Sequence, residues 1–276
     1  MTDLAAALQE KSAAARWQTL TKLGRANGLK LSDAATLSAL TRALADEHPF
    51  VRWQAGLALA GQTPGRQKLL EVLKSYPAPL GETPAPDVLC AAAIDALAAQ
   101  KSSELRGYLP SLLEQGNPLV RQSAAEALNR QGSTEAVPHL NAALRDHDPW
   151  VRRAAAVALG HLGDVHAATA LIPCLKDKAV VVRRSAAYAL GALKAASAVP
   201  ALRVSLTDRD AQVRRNAAWA LGRMGQPEVI TDLTLLLADP ALDGHVAETA
   251  QEAIATLSKS PWQQLLSFLG KRFSRS

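Results

Sequence analysis

The sequence predicts an all-α protein, a solenoid of about eight helix pairs, and three observations support this fold class. Hydrophobic residues make up 48% of the sequence and aromatic residues only 4%, and alanine supplies much of the apolar content. Alanine is the best helix former and a poor strand former. Similar segments recur at intervals close to 31 residues. Within each segment the apolar residues recur at helical spacing, so each predicted helix has one apolar face.

The repeat is defined by an apolar residue that opens each copy and a second apolar residue eight positions later. Four successive spacings are 31 residues, the first two are 36 and 38, and the last is 33. Periods of roughly 20–50 residues are typical of stacked repeat architectures. The openings are Ala15, Val51, Leu89, Val120, Val151, Val182, Val213 and Val246, and the second positions are Leu23, Leu59, Leu97, Leu128, Leu159, Leu190, Leu221 and Ile254.

The segment DPWVRRAAAVALGHLG carries the signals of a complete helix. Asp148 is a good N-cap, and Pro149 suits the first helical position, where no amide hydrogen bond is lost. Gly163 can end the helix. An amphipathic stretch such as TEAVPHLNAALRD precedes each helix of this kind, so a unit is a helix pair of about 31 residues. Neither helix can bury its apolar face alone, and neighbouring pairs must therefore stack.

The pattern D–P-V-R-x-x-A-A-x-A-L-G-x-L-G resembles HEAT repeats, particularly the short HEAT-like repeats of phycobilisome bilin lyases. The resemblance covers nearly the whole chain and is best in residues 133–225. It implies a right-handed α-solenoid over residues 1–258, in which the second helices line a concave groove. It also implies the functions of such families, which range from scaffolds to lyase subunits.

Two segments interrupt the array. The proline-rich segment 75–86 cannot continue a helix and is predicted to form a loop between the second and third units. Residues 259–276 lie outside the repeat. Their apolar residues at helical spacing and their basic end predict a helix that caps the last unit or contacts an anionic membrane surface. These residues are Trp262, Leu265, Leu266, Leu269, Lys271, Arg272 and Arg275.

An arginine after the opening residue and an aspartate five positions before it recur together along the chain. The guanidinium fork suits fixed pairing with carboxylates, so we predict a structural ladder that ties neighbouring units together. The arginines are Arg52, Arg121, Arg152, Arg183 and Arg214, and the aspartates are Asp46, Asp146, Asp177 and Asp208.

The positions two, three, six and ten after the opening residue vary between units and lie along one side of the second helix. The resemblance implies that they face the groove. Among them are three arginines that form a predicted column at about 10 Å spacing, together with exposed aromatic residues of the kind found at interaction hot spots. The predicted groove residues are Arg153, Arg184, Arg215, Tyr188, Trp219, Arg223, His161, Trp17 and Trp53.

The net charge of +6 favours anionic partners. We expect a scaffold or adaptor that binds an acidic protein through this groove. An alternative is a bilin lyase-like subunit or chaperone that holds an open-chain tetrapyrrole and acts with a phycobiliprotein-like partner and a second HEAT-like subunit. Nucleic acid binding is a third interpretation. It is disfavoured because the groove arginines are confined to one half of the chain and because four acids interrupt the positive field: Asp95, Glu126, Glu248 and Glu252.

Familiar catalytic motifs are missing from the sequence, including glycine-rich phosphate loops, HExxH and nucleophile elbows. We therefore expect no catalytic residues, unless the chain is a lyase-like subunit, and no cofactor apart from the alternative tetrapyrrole. The histidines fall on different elements, so no metal site is expected. Cys90 and Cys174 match no metal or redox spacing and suit buried thiols in the cytoplasm. Neither a signal peptide nor a membrane-spanning run is expected.

Overall fold

The computed structural model describes residues 4–10, 12–25, 33–77 and 86–258. These residues form helices joined by short turns, with no strand among them. The contacts divide the chain into two compact units, Met1–His139 (unit 1) and Leu140–Ser276 (unit 2). Each unit is an array of helix pairs, which confirms the predicted α-solenoid fold class.

In unit 1 each first helix packs against the second helix that follows it, and successive second helices pack side by side. Odd-numbered helices are first helices and even-numbered helices are second helices. The helices are α1 (Leu4–Ala7), α2 (Ala13–Arg25), α3 (Ala34–Ala43), α4 (Pro49–Ala60), α5 (Thr63–Ser75), α6 (Pro86–Ala99), α7 (Leu109–Gln115) and α8 (Pro118–Gln131), with 3₁₀ turns at Ser103–Gly107 and Thr134–Ala136.

In unit 2 the pairs from α11 onward repeat the same arrangement with short connections, and α10 packs against α12. Its boundary falls within the first of its helices, α9. The helices are α9 (Val137–Ala143), α10 (Pro149–Leu162), α11 (Ala168–Leu171), α12 (Val180–Leu193), α13 (Val199–Ser205), α14 (Ala211–Met224), α15 (Ile230–Leu237) and α16 (Gly244–Leu257), with 3₁₀ turns at Val165–Ala167, Ile172–Lys176, Ala196–Ala198 and Pro227–Val229.

The two apolar positions that define each helix-pair repeat contribute to the hydrophobic cores of unit 1 and unit 2. In six of the eight repeats both positions are buried, and in the last repeat Val246 is buried while Ile254 is half-buried. Alanines fill the space between them, because small side chains allow neighbouring helices to approach closely. The buried pairs are Val51 and Leu59, Leu89 and Leu97, Val120 and Leu128, Val151 and Leu159, Val182 and Leu190, and Val213 and Leu221.

The predicted helix signals are confirmed at α10. The Asp148 side chain accepts hydrogen bonds from the backbone N–H groups of Trp150 and Val151, and Pro149 is the first helical residue. Gly163 ends the helix with a φ of 78°, a left-handed conformation that glycine adopts at little cost. Local sequence therefore determines where this second helix begins and ends.

First helices of unit 2 are shorter, and proline explains their irregularity. The first helix of the sixth repeat consists of α11 followed by a 3₁₀ turn at Ile172–Lys176. Pro173 lies within that turn and has no N–H group for a helical hydrogen bond. In unit 2 the first helices are therefore shorter and less regular than the second helices, whereas α3 and α5 of unit 1 are regular helices.

Close approach between second helices depends on glycine. A Cβ atom on Gly160 would lie 2.8 Å from the Cβ of Ala189, and one on Gly222 would lie 2.7 Å from the Cβ of Ala253. Contacts this short do not occur between real carbon atoms. Glycine facing alanine therefore sets the separation of α10 from α12 and of α14 from α16.

The two interruptions are described only in part. Helix α5 ends at Ser75 and α6 begins at Pro86, so the proline-rich segment joins the two helices of the third repeat and does not lie between the second and third repeats as predicted; its residues 78–85 lie outside the described residues. The predicted C-terminal helix, residues 259–276, also lies outside them. Within the described ranges no helix has both the length and the apolar character needed to cross a membrane.

Replacement of Gly222 by alanine is expected to destabilise unit 2, because the added methyl group overlaps Ala253. Overpacking of this kind costs about 1–3 kcal/mol. The free energy of unfolding, measured in urea by circular dichroism, reports the loss. Gly244→Ala is the matched control, since a Cβ there meets no atom within 4 Å. Equal stability of the two variants would contradict the close-packing explanation.

Candidate partner-binding face

Arg152 joins two successive repeats of unit 2. Its Nε and Nη2 atoms donate to the two carboxylate oxygens of Asp177 at 2.7 and 2.8 Å. Its Nη1 atom donates to the backbone carbonyl oxygens of Asp146 and His147 at 2.7 and 3.0 Å. One guanidinium thus holds the turn of its own repeat and the carboxylate of the next.

The same geometry recurs at Arg183, which donates to both carboxylate oxygens of Asp208 at 2.7 and 3.0 Å and to the carbonyl oxygen of Asp177. In unit 1, Arg16 donates to both oxygens of Asp46. We call these three pairs the arginine–aspartate ladder. The other predicted arginines bind turn carbonyls: Arg52 binds those of Asp46 and Glu47, Arg121 that of Gly116, and Arg214 those of Asp208 and Arg209.

The ladder carboxylates are largely buried, with 13% of the side chain exposed at both Asp177 and Asp208. Burial is the largest single effect on each carboxyl and opposes its ionisation, but the arginine hydrogen bond, a backbone N–H bond and the nearby positive charge together lower the pKa. Each carboxylate also accepts a backbone N–H bond from the turn that follows it. The ladder is therefore a set of charge-assisted bonds that fix turn and neighbour together.

Three predicted groove residues of unit 2 form a continuous ring contact. Tyr188 on α12 and Trp219 on α14 stack with ring centroids 5.1 Å apart and an interplanar angle of 6°. His161 on α10 meets Tyr188 edge to face at 6.2 Å. The guanidinium of Arg223 lies 5.0 Å from the Trp219 ring centroid, within cation–π range. We call these four residues the aromatic cluster.

The aromatic cluster is held from below by the backbone of α12. A Cβ on Gly191 would lie 2.6 Å from Cζ3 of Trp219, so glycine leaves the space that the indole occupies. Arg223 Nε donates to the carbonyl oxygen of Gly191 at 3.1 Å. These contacts hold the Trp219 ring in place, while 39% of Tyr188 stays exposed.

The predicted arginine column is interrupted. Arg184 donates to both carboxylate oxygens of Asp210, and these bonds hold the pKa of the Asp210 carboxyl below its usual value. Arg153 lies 5.8 Å from the Trp150 ring centroid. Arg215 is exposed and makes no ion pair with any described residue. Of the three arginines, Arg215 is thus the one whose charge is most available.

One of the four predicted groove positions is less exposed than the others. The residue three positions after the opening is buried at Ser123, Ala154 and Ser185, and in the other repeats it is half-buried except at Gln18, which is exposed. Three residues on a helix correspond to about 300°, which leaves this position only about 60° from the buried opening residue. The second, sixth and tenth positions carry the exposed face.

In unit 1, Trp17 and Trp53 are 43% and 45% exposed. Trp53 lines a pocket of about 240 Å³ together with Asp95 and Leu119. Burial raises the pKa of Asp95 to about 6, although Arg130 lies 3.5 Å from one of its oxygens and opposes the shift. Trp53 of unit 1 thus lies beside an acidic side chain, whereas Trp219 of unit 2 lies beside an aromatic ring and an arginine.

The model of HEAT repeats matches residues 80–159, 112–190 and 169–255, which together span more than half of the chain. The chain belongs to the HEAT-repeat family. No curated protein is similar enough in sequence to be counted as a relative.

Solved structures agree with this HEAT fold. The Escherichia coli protein YibA matches with a TM-score of 0.65 at 18% identity, over 93% of this chain and 92% of that chain. A chain from the complex of Kap95p with RanGDP matches with a TM-score of 0.62 at 15% identity, over 92% of this chain and 40% of that chain. At these identities the similarity establishes the fold alone.

Sequence reasoning missed two residues that shape this face of the HEAT array. Asp210 neutralises Arg184, and Gly191 makes room for Trp219. Asn216, at a predicted groove position, donates from its side chain to the Arg184 carbonyl oxygen at 2.8 Å. The repeat contained a signal for one of them. Asp210 lies 62 residues, or two periods, after the cap residue Asp148 and caps α14 in the same way.

The cysteines offer no reactive site. Cys90 and Cys174 are buried free thiols, as predicted. Burial raises the pKa of Cys90 to about 12 and that of Cys174 to about 11, so both stay protonated at neutral pH. Across the described ranges no group of three or more histidine, cysteine or acidic side chains is placed to hold a metal ion.

Asp208→Asn is expected to lower stability at neutral pH and to flatten its dependence on acid. The lowered folded pKa of Asp208 contributes stability above the ordinary aspartate value of about 4, and this contribution is lost as the pH falls through the folded pKa. Asparagine can still accept the turn N–H bond, so the loss of about 1.5–3 kcal/mol reflects the ion pair.

Urea unfolding between neutral and acidic pH measures both effects. Asp239→Asn is the control, since this exposed aspartate also accepts a turn N–H bond but pairs with no described cation. If Asp208→Asn matched the wild type at neutral pH, the ladder would not be stabilising.

Proposed function

We propose that this HEAT-repeat chain is a non-catalytic scaffold that binds an acidic protein partner through the aromatic cluster of unit 2 and the adjacent Arg215. HEAT repeats build extended surfaces suited to protein interaction, because stacked repeats present equivalent positions in rows. The observation that carries the proposal is the preformed stack of Tyr188, Trp219 and Arg223 on an otherwise alanine-rich array.

Preorganisation is the main reason to place the partner there. Tryptophan, tyrosine and arginine dominate interface hot spots, since they bury large area with few rotatable bonds. Ordering such side chains on binding costs about 0.5–1.5 kcal/mol each. Tyr188 stacks on Trp219 and Arg223 donates to Gly191 in the free chain, so these side chains lose little further conformational entropy on binding.

Charge favours an acidic partner. Arg215 and Arg223 are exposed beside the rings, and their guanidinium groups can bind carboxylates in a bidentate manner. Arg184 contributes less, because Asp210 already satisfies it. Glu248 and Glu252 on α16 are exposed and place negative charge on the neighbouring helix, so the preferred contact lies on α12 and α14.

A second candidate ligand is an open-chain tetrapyrrole. The stacked rings of Tyr188 and Trp219 offer aromatic surface for contact with a conjugated ligand, and Arg215 offers a cation for a propionate. The sequence resemblance to bilin lyase repeats favours the same ligand. Binding of biliverdin would shift its absorbance spectrum, and a shift that disappears in Trp219→Ala would support this candidate over a protein partner.

The combined substitution Trp219→Ala and Arg215→Glu is expected to reduce partner recovery about tenfold, since it removes a hot-spot ring and reverses the available charge. Cross-linking pulldown from the native source with quantitative mass spectrometry measures the recovery. The control is Arg145→Glu, an equal charge change at an exposed position away from the cluster. Circular dichroism confirms that both variants stay helical, and unchanged recovery by the double variant would reject the proposed face.

A further inference from the structure

A groove of about 1210 Å³ lies between the first helices of the sixth and seventh repeats in unit 2. Its walls are the 3₁₀ turn at Ile172–Lys176 and helix α13, and its ends are the turns that lead into α12 and α14. None of the aromatic cluster residues lines it. We call it the first-helix groove.

The lining of the first-helix groove combines exposed apolar and basic side chains. Val204 is 63% exposed, and Ile172 and Pro173 face it from the opposite wall. Single exposed apolar residues are common on protein surfaces. Here the exposed apolar residue recurs at the same position of successive repeats: Pro173, Val204 and Leu235 are 31 residues apart, and Leu235 is 68% exposed. These residues therefore form an apolar stripe along the first helices.

The available charge of this groove is positive. Its two acids, Asp177 and Asp208, are engaged in the arginine–aspartate ladder. Its remaining cations are Lys176, Lys178 and Arg209, which are exposed and form no ion pair with any residue that the structure describes. The ladder therefore leaves exposed cations beside exposed apolar residues in this groove.

We infer that the first-helix groove binds an acidic peptide segment of a partner protein, with one large apolar side chain inserted against Val204 and Pro173. Glutamates or aspartates of the segment pair with Lys176, Lys178 and Arg209. The site is separate from the aromatic cluster, so it is independent of the function proposed above and would let one HEAT chain hold two partners or two parts of one partner.

Two features of the groove favour a peptide over other anions. Its lining contains no aromatic side chain on which a nucleic acid base could stack. Its apolar residues lie between two helices and beside basic side chains, an arrangement that suits an extended segment more than a flat bilayer. Charge complementarity together with these apolar residues favours an acidic segment with an apolar anchor.

Fluorescence polarisation with labelled synthetic heptapeptides tests the inference on the full chain. The probes are six glutamates around a central leucine, isoleucine or phenylalanine, the same peptide with central glycine, and a six-lysine peptide with central leucine. The glutamate peptides with an apolar centre are expected to bind at least about tenfold more tightly than the glycine and lysine peptides. No saturable binding by any glutamate peptide up to about 1 mM would overturn the inference.

Variants locate the binding. Arg209→Glu and Val204→Ser are each expected to weaken binding about tenfold, and both positions are exposed enough that the fold should persist. Arg145→Glu controls for overall charge, and Trp219→Ala controls for the aromatic cluster. If Arg145→Glu weakened binding as much as Arg209→Glu, the contact would be non-specific attraction to a basic protein. If only Trp219→Ala weakened it, the peptide would bind the aromatic cluster and the inference would fail.

Discussion

The two-sided hydrogen bonding of one buried arginine is the interaction on which the rest of this structure depends. Each ladder guanidinium binds the turn carbonyls of its own repeat and the carboxylate that opens the next turn. Turn geometry and stacking between repeats are therefore set by a single side chain. Because the carboxylates are largely buried and their pKa is lowered, the ladder is strongest at neutral pH and weakens only in acid.

Because the repeats stack in a fixed way, side chains at equivalent positions of successive repeats lie in rows. The residue types in each row determine the chemical character of that surface. Along the second helices the sixth and tenth positions align, which brings Tyr188 onto Trp219 and Arg223 onto the same ring. Along the first helices the aligned positions are Pro173, Val204 and Leu235. The ladder arginines also pair with Asp177 and Asp208, the two acids that line the first-helix groove. The unpaired charges that remain in this groove are therefore positive.

The fold could be predicted from the sequence because the repeat states the same helix signals many times, as in Asp148 and Pro149 before Val151. The residues of the ladder could also be predicted, but their spacing does not show whether an arginine binds its own turn or the next repeat. Arg152 does both: it binds the Asp146 carbonyl of its own turn and the Asp177 carboxylate of the next repeat. The aromatic cluster was foreseen as a set of groove residues, whereas the neutralisation of Arg184 by Asp210 was not, because Asp210 looks in sequence like an ordinary helix cap. The first-helix groove could not be predicted, because Pro173 indicates where the helix is interrupted but not how far the resulting turn lies from α13.

A double-mutant cycle on Arg152 and Asp177 tests most directly whether the ladder holds the repeats together. Arg152→Met, Asp177→Asn and the double variant are unfolded in urea at neutral pH, and asparagine keeps the acceptor for the Ala179 N–H bond. The account predicts a favourable coupling free energy of about 1–3 kcal/mol between the two side chains. A coupling free energy near zero would show that the pair is incidental to stacking and would contradict the account.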